Sequence, residues 1–170
     1  DRIIANFRSF LPDRVKQHMV DTFSVDFLED RSKILGRLFE RLLQREKEEV
    51  SHQIQELKER TPQSGLASFG LNGTLEALNS GQVHTLYLLT SFSQEGAKCC
   101  RCSSLLWIDP SGNRHVPCPI CKGETKRVDL SEEMMRSALR QDGEVKWVEE
   151  NAILKENDGM GASLRFRLTR

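Results

Sequence analysis

The chain has 170 residues, and its 25 basic and 25 acidic residues give a formal net charge of zero at pH 7. A neutral chain has no overall basic field, so composition alone does not indicate a nucleic-acid-binding protein. No apolar run in this sequence is long enough to span a membrane, and we expect no signal peptide. The length predicts one domain, or one domain with a fragment of another, and the start at Asp1 leads us to expect a piece of a larger protein.

The first part of the chain contains two weak patterns. Residues 1–12 predict a short helix, and residues 18–25 predict a short strand. Two such elements cannot bury a core alone, so we expect them to pack against something outside this chain. Residues 1–44 are therefore interpreted as the tail of a preceding domain and the start of a long helix.

A long amphipathic helix is predicted from Asp30 to Arg60, with apolar residues at spacings of three and four. About thirty residues at 1.5 Å each give roughly 45 Å, enough to connect two domains. The apolar stripe is interrupted by the polar segment 44–49, so the second domain is predicted to cover 45–170. A dimeric coiled coil is the alternative, but the stripe lacks sustained heptads.

Helical and strand patterns alternate through the second domain. Helices are predicted at 72–79 and from 129 or 131 to about 143, and strands at 83–90, 144–149 and 162–168. This alternation predicts an α/β fold, a small sandwich with a mixed central sheet and helices, preceded by the long helix. A zinc-ribbon-like lobe, residues 97–127, is predicted as an insert in it.

All five cysteines lie in this lobe, and four of them have metal-ligand spacing. Cys99 and Cys102 form one C-x2-C pair, Cys118 and Cys121 form another, and fifteen residues separate the pairs. Two tight turns of this kind can direct four sulfurs at one tetrahedral ion, which leaves no position for a substrate. The pattern predicts a structural Zn²⁺, with disulfides, a redox pair or an iron–sulfur cluster as alternatives.

The fifth cysteine and a nearby histidine leave the ligand set open. Cys100 would form only a C-x-C pair with Cys102, so we predict that it is free. His115 could replace a sulfur, but four cysteines already suffice, so we interpret it as a loop residue. Clustered thiols in metal spacing favour a reducing compartment, which makes the cytoplasm the expected location.

The lobe has a local excess of positive charge. Residues 98–127 contain six basic and two acidic residues, and Zn²⁺ with four thiolates would cancel about two of the excess charges. A solvated surface explains the remainder as well as RNA binding does. The candidate contacts with RNA or a partner are Lys98, Arg101, Lys122, Lys126 and Arg127.

Two segments of the second domain carry a family pattern. The first contains Gly65, Phe69-Gly70, Thr74-Leu75, Ala77-Leu78, Gly81 and the strand 83–86, and the second is Asp-Gly-Met-Gly-Ala-Ser-Leu-Arg-Phe at 158–166. Over about 45–170 the chain resembles the third domain of archaeal and eukaryotic class-I peptide-release factors. Among the branches of this superfamily, it is most similar in pattern to the bacterial one. Residues 1–44 are similar to the tail of the family's middle domain, and a cysteine minidomain has parallels among archaeal members.

The resemblance implies a docking role, because in this family the third domain recruits a partner GTPase. The family's catalytic Gly-Gly-Gln loop belongs to the middle domain. Ser80-Gly81-Gln82 is a poor substitute, since it lies between a helix end and a buried strand. No catalytic residue, small-molecule substrate or membrane contact is therefore predicted in this chain.

The predicted function is a non-catalytic domain of a release-factor-like translation protein that binds a ribosome, ribosomal RNA or a translation GTPase-like partner. Three alternatives remain. They are a zinc-ribbon RNA-binding module, a fragment of a peptidyl-tRNA-hydrolysing release factor with its catalytic loop upstream, and redox-active C-x2-C pairs.

Overall fold

The computed structural model describes residues 7–19, 22, 24–26, 28–108 and 116–167, with backbone only for 60–64. The chain divides into two compact units, Asp1–Leu43 and Gln44–Arg170. Within the described residues, every helix is too short or too polar to cross a membrane.

The regular structure described in the first unit is helical. Residues 7–10 are helical, followed by α1 (Asp13–Gln17) and the first part of α2 (Arg31–Ser64). The strand predicted at 18–25 is wrong for the described residues in that range, which form no strand. Just after that range, short polar side chains bond to nearby backbone N–H groups: Asp26 accepts from Leu28 at 3.1 Å and Asp30 from Ser32 at 2.9 Å. The remainder of both predictions, residues 1–6, 20, 21 and 23, lies outside the described residues.

The second unit contains a four-stranded sheet in the order β1–β7–β2–β6. Its strands are β1 (Ala67–Phe69), β2 (Val83–Leu89), β6 (Glu144–Val148) and β7 (Met160–Leu164). The pairs β1–β7 and β7–β2 are antiparallel, whereas β2–β6 is parallel. The mixed central sheet predicted from the sequence is therefore confirmed.

Helices cover both faces of the sheet because the side chains of β2 alternate between two cores. Leu86 and Leu88 pack with α3 (Leu71–Asn79) and α4 (Leu130–Arg140). Tyr87 and Leu89 pack on the other face with Val50 and Ile54 of α2 and with α5 (Ala152–Lys155). All four side chains are buried, which explains the nearly continuous apolar run of this strand.

A second, three-stranded antiparallel sheet forms the lobe between β2 and α4. Its strands are β3 (Glu95–Cys99), β4 (Leu105–Trp107) and β5 (Thr125–Asp129), in the order β4–β3–β5. Asp129 ends the lobe and begins α4, because its carboxylate accepts from Ser131 N–H at 2.8 Å and Glu132 N–H at 3.3 Å.

The lobe is fixed to the sandwich by close packing and by one side-chain amide. A Cβ on Gly96 would lie 2.5 Å from Leu130 Cγ, so only glycine allows β3 to approach α4 so closely. Asn79, at the end of α3, donates to Leu105 C=O and accepts from Leu105 N–H, both at 2.8 Å. This amide acts as a one-residue continuation of the lobe sheet.

We expect Asn79→Ala to lower the free energy of unfolding by about 1.5 kcal/mol, because both polar backbone groups of the buried Leu105 lose their partner. Urea unfolding measures the change. Asn72→Ala removes an exposed amide from the same helix and should leave stability unchanged. Equal midpoints for the two variants would contradict the role given to Asn79.

Candidate metal centre

The first cysteine turn follows β3. Cys99 is its first residue and Cys102 its fourth. Ser103 N–H donates to Cys99 C=O at 3.1 Å, and Cys99 N–H donates to Ser104 C=O at 2.9 Å. Ser103 has a φ of 60°, the left-handed conformation that closes this turn.

The second cysteine turn precedes β5 and repeats the first, bond for bond. Lys122 N–H donates to Cys118 C=O at 2.8 Å, Cys118 N–H donates to Gly123 C=O at 2.9 Å, and Lys122 also has a φ of 60°. The two turns also contact each other, since Cys100 N–H donates to Glu124 C=O at 2.9 Å. One local structure, used twice, presents the four sulfurs.

The four sulfurs converge on one point, all within 4.8 Å of one another. The Sγ–Sγ distances are 3.4 Å for Cys99–Cys121, 3.6 Å for Cys102–Cys118 and 3.5 Å for Cys102–Cys121. A tetrahedron with Zn–S bonds of about 2.3 Å has edges of about 3.8 Å. A disulfide requires about 2.05 Å, and all five cysteines are free. The donor set therefore fits a tetrahedral thiophilic ion.

Hydrogen bonds to the sulfurs of Cys99 and Cys102 stabilise their thiolate forms. The Cys102 and Arg101 amides donate to Cys99 Sγ at 3.4 and 3.3 Å, and they lower the pKa of Cys99. Hydrogen bonds from Ser104 lower the pKa of Cys102 to about 6.

The pKa of the Cys121 thiol shifts in the opposite direction. The Gly123 amide favours its thiolate, but the neighbouring Cys99, burial and the other two cysteines together raise its pKa to about 11. Four thiols this close cannot all ionise unaided, and a bound dication would supply the missing charge.

Such a centre would be closed. Four thiolates fill a tetrahedral coordination shell, so they leave no position for a reacting water or substrate. Cys99 and Cys118 are buried, which restricts access further. This arrangement suits a structural role for the ion.

Cys100 lies outside the four-sulfur group although it is adjacent to Cys99. Its side chain is exposed, and its place in the turn is fixed by the backbone bond to Glu124. His115, the alternative ligand, lies outside the described residues.

The structure divides the five candidate basic residues into two kinds. Lys98 Nζ lies 2.6 Å from Glu133 Oε2 in a partly buried pair, and Arg127 Nη1 lies 3.2 Å from Glu95 Oε2. Within the described part of the chain, the exposed residues Arg101, Lys122 and Lys126 form no ion pair. Lys98 and Arg127 are therefore occupied within the protein.

A cavity of about 590 Å³ near the carboxyl end of β2 had no local sequence signal. Leu71, Leu89, Phe92, Trp107 and Asp158 contribute to its walls, and the Trp107 side chain is 46% exposed. These residues come from α3, β2 and the loop after it, β4 and the turn before β7. No short-range pattern could bring such distant segments together.

Comparisons with known proteins add to this geometry. No protein-family model and no curated protein matches the chain. A solved structure described as the C-terminal domain of a peptide chain release factor from Methanosarcina mazei matches with a TM-score of 0.58 and 18% identity. The match covers 83% of this chain and 98% of that domain.

The fold is that of a release-factor C-terminal domain. The resemblance proposed from the sequence is thus confirmed at the level of the fold. A model of ribosome-bound archaeal Pelota and ABCE1 aligns at 22% identity and a TM-score of 0.48, over 89% of this chain and 36% of that one.

Proposed function

We propose that this chain is a non-catalytic docking domain of a release-factor-like translation protein, which binds the ribosome or a translation GTPase-like partner. The observation that carries the proposal is the alignment over 98% of a release-factor C-terminal domain. The non-catalytic role is supported by the described part of this chain, which contains no group of nucleophile, base and oxyanion donors.

The environment of Gln82 supports a non-catalytic role. Gln82 is only 7% exposed, and its side-chain amide donates to Phe166 C=O at 3.0 Å. Gly81, with a φ of 70°, ends α3 immediately before it. The Ser80-Gly81-Gln82 segment therefore links a helix to the central strand, and its glutamine cannot project toward a substrate.

Zinc is proposed as the ion of the four-cysteine centre, held by Cys99, Cys102, Cys118 and Cys121. A three-stranded sheet with few buried apolar side chains cannot stabilise itself, and a structural metal supplies the missing free energy. Metal-binding cysteines must also stay reduced, and a reducing compartment keeps them so; we therefore propose the cytoplasm as the location of the working protein.

Co-sedimentation of the full-length protein with ribosomes at low salt tests the proposed function. We expect the protein to pellet with ribosomes or a subunit, and a version that lacks residues 44–170 to lose at least tenfold in affinity. Equal pelleting of the two versions would show that this domain does not dock.

A further inference from the structure

The central sheet ends on β6, and the outer edge of this strand has no strand beside it among the described residues. An open edge of this kind offers a row of backbone N–H and C=O groups to another chain. The opposite edge of the sheet, β1, has only three residues, whereas β6 has five. β6 is therefore the longer of the two edges at which this sheet can be extended.

The register with β2 shows which residues of β6 face the open edge. Thr90 N–H donates to Val148 C=O at 2.9 Å, so the backbone groups of Val148 point toward β2. Because these directions alternate along a strand, the backbone groups of Lys146 also point toward β2. Those of Val145 and Trp147 point outward, and no described residue bonds to them.

The side chains of β6 alternate between the two faces of the sheet. Val145 packs against the core under α4, so Trp147 lies on the same face, where its side chain is 46% exposed. On the other face Lys146 donates to Gln53 of α2 at 2.9 Å, and the exposed Glu144 shares that face. Within the described residues Glu144 forms no ion pair. One face of the open edge is therefore apolar, and the other carries one acid and one base.

Helix α4 adds apolar surface above this edge. α3 packs over β1 and β7, and α4 packs over β2 and β6. Ser137 and Gln141 face α3, since Gln141 donates to Leu78 C=O at 2.9 Å and to Ser137 Oγ at 3.2 Å. Met135 and Leu139 lie about 160° away from Ser137 around the helix, so they face outward over β6. The Leu139 side chain is 55% exposed.

We propose that β6 pairs with β6 of a second copy of this chain, antiparallel, about a twofold axis at Val145. In this register the two Val145 residues exchange both backbone hydrogen bonds, because their backbone groups point outward. Glu144 lies opposite Lys146 of the second copy, and Lys146 lies opposite its Glu144. These are non-hydrogen-bonded pairs, in which side chains approach most closely. Trp147 lies opposite Gly143, which has no side chain to displace the indole.

The charges of β6 select this register. Three symmetric antiparallel registers align at least three strand residues of each copy, with their axes at Val145, Lys146 or Trp147. An axis at Lys146 would place the two lysines opposite each other, and an axis at Trp147 would place Glu144 opposite Glu150. Like charges directly opposite each other destabilise a strand pair, whereas opposite charges stabilise it. β6 is thus complementary in charge to itself with the axis at Val145, which favours a second copy as the occupant.

The same register brings the two copies of α4 together. Because α4 lies over β2 and β6, each helix axis is about one strand spacing from the twofold axis, and the helices are about 10 Å apart, a usual packing distance. Gly143 N–H donates to Ala138 C=O at 2.9 Å, which keeps the end of α4 next to the start of β6. Leu139 therefore lies near the axis, where it packs against its own copy. This contact supplies apolar area that a short strand edge lacks.

Sedimentation velocity of this chain over about 5–200 μM tests the proposal, since a small interface should bind in the micromolar range. We expect a dimer at the upper concentrations. Glu144→Lys and Lys146→Glu each place like charges opposite each other twice, so each variant should dimerise about tenfold more weakly. An equimolar mixture of the two variants restores both opposite-charge pairs and should dimerise like the wild type.

The matched control reverses the same residue types in another exposed pair. Lys58 Nζ lies 3.4 Å from Glu156 Oε2, between α2 and the residue that follows α5. Glu156→Lys and Lys58→Glu should each dimerise like the wild type, and mixing them should change nothing. Leu139→Ser tests the helix contact separately, and it should weaken dimerisation about tenfold because it removes apolar surface at the axis.

The proposed pairing fails if the wild-type chain is a monomer at every concentration, which would leave β6 open for a segment of another protein. It also fails if Glu144→Lys or Lys146→Glu alone dimerises as tightly as the wild type, or if their mixture stays monomeric. This inference does not depend on the proposed function. Ribosome co-sedimentation can fail while the dimer forms, and it can succeed while the chain stays monomeric.

Discussion

Replacing Cys118 by serine should release the metal and unfold the lobe. Cys118 is fully buried, and its sulfur lies 3.6 Å from that of Cys102, so serine removes one of four converging donors. Structural zinc contributes roughly 10–16 kcal/mol in zinc-finger peptides, far more than a three-stranded sheet can replace. We expect the zinc content to fall from about one ion per chain to less than a tenth.

Hydrogen exchange can locate the damage. Amides of β3 and β5 should lose their protection, whereas those of β2, which are held by two cores, should keep it. Cys100→Ser is the matched control, because it makes the same chemical change one residue from Cys99 but outside the sulfur group. Full zinc content in the Cys118 variant, or equal loss in the Cys100 variant, would refute the ligand set.

The second large effect concerns the ion pair that joins β3 to α4. Lys98 and Glu133 side chains are 14% and 11% exposed, and their charged atoms are 2.6 Å apart. Lys98→Met should lower the free energy of unfolding by about 3 kcal/mol, since the variant leaves a carboxylate buried without its main partner. Arg136 Nη1 lies 3.3 Å from Glu133 Oε1 and remains as a second partner. The loss of stability should therefore lie at the lower end of the range for a broken buried ion pair.

The control for this variant removes the pair together. Lys98→Met/Glu133→Leu leaves no buried charge and should recover most of the lost stability, because a buried ion pair can often be exchanged for apolar groups at little cost. Urea unfolding of the zinc-loaded proteins measures both. A double variant less stable than Lys98→Met would mean that the pair itself, and not the stranded carboxylate, determines stability.

The same pair predicts a dependence of stability on pH. The hydrogen bond from Lys98 lowers the pKa of Glu133 below its usual 4.5 despite burial. Its contribution to stability is therefore present at neutral pH and is lost as the pH falls below about 4.5 through the folded-state pKa. In Lys98→Met this acid-side loss should be smaller, because an unpaired buried carboxyl prefers to be neutral. Unfolding midpoints at a series of pH values from 7 to 3 test this.

Local patterns allowed the sequence to reveal some features and not others. The two C-x2-C turns were visible because each is closed by bonds between residues four or five apart. The central strand was visible because burial on both faces leaves a nearly continuous apolar run. The three-residue β1 has no such pattern, and it exists because β7 pairs with it.

The connections between lobe and sandwich also escaped prediction. Asn79 bonds to Leu105, 26 residues away, and Lys98 pairs with Glu133, 35 residues away. In the sequence, Asn79, Lys98 and Glu133 look like ordinary surface residues. Nothing local in the sequence indicates that Lys98 and Arg127 lie in ion pairs with Glu133 and Glu95.

The chain enters and leaves the lobe at adjacent points. Glu95, where β3 begins, is the direct cross-strand neighbour of Asp129, where β5 ends. A tight turn could thus replace everything between them and still carry the chain from β2 into α4. Such an exchange would keep the path of the chain, but Asn79 and Glu133 of the sandwich would lose Leu105 and Lys98, their partners in the lobe.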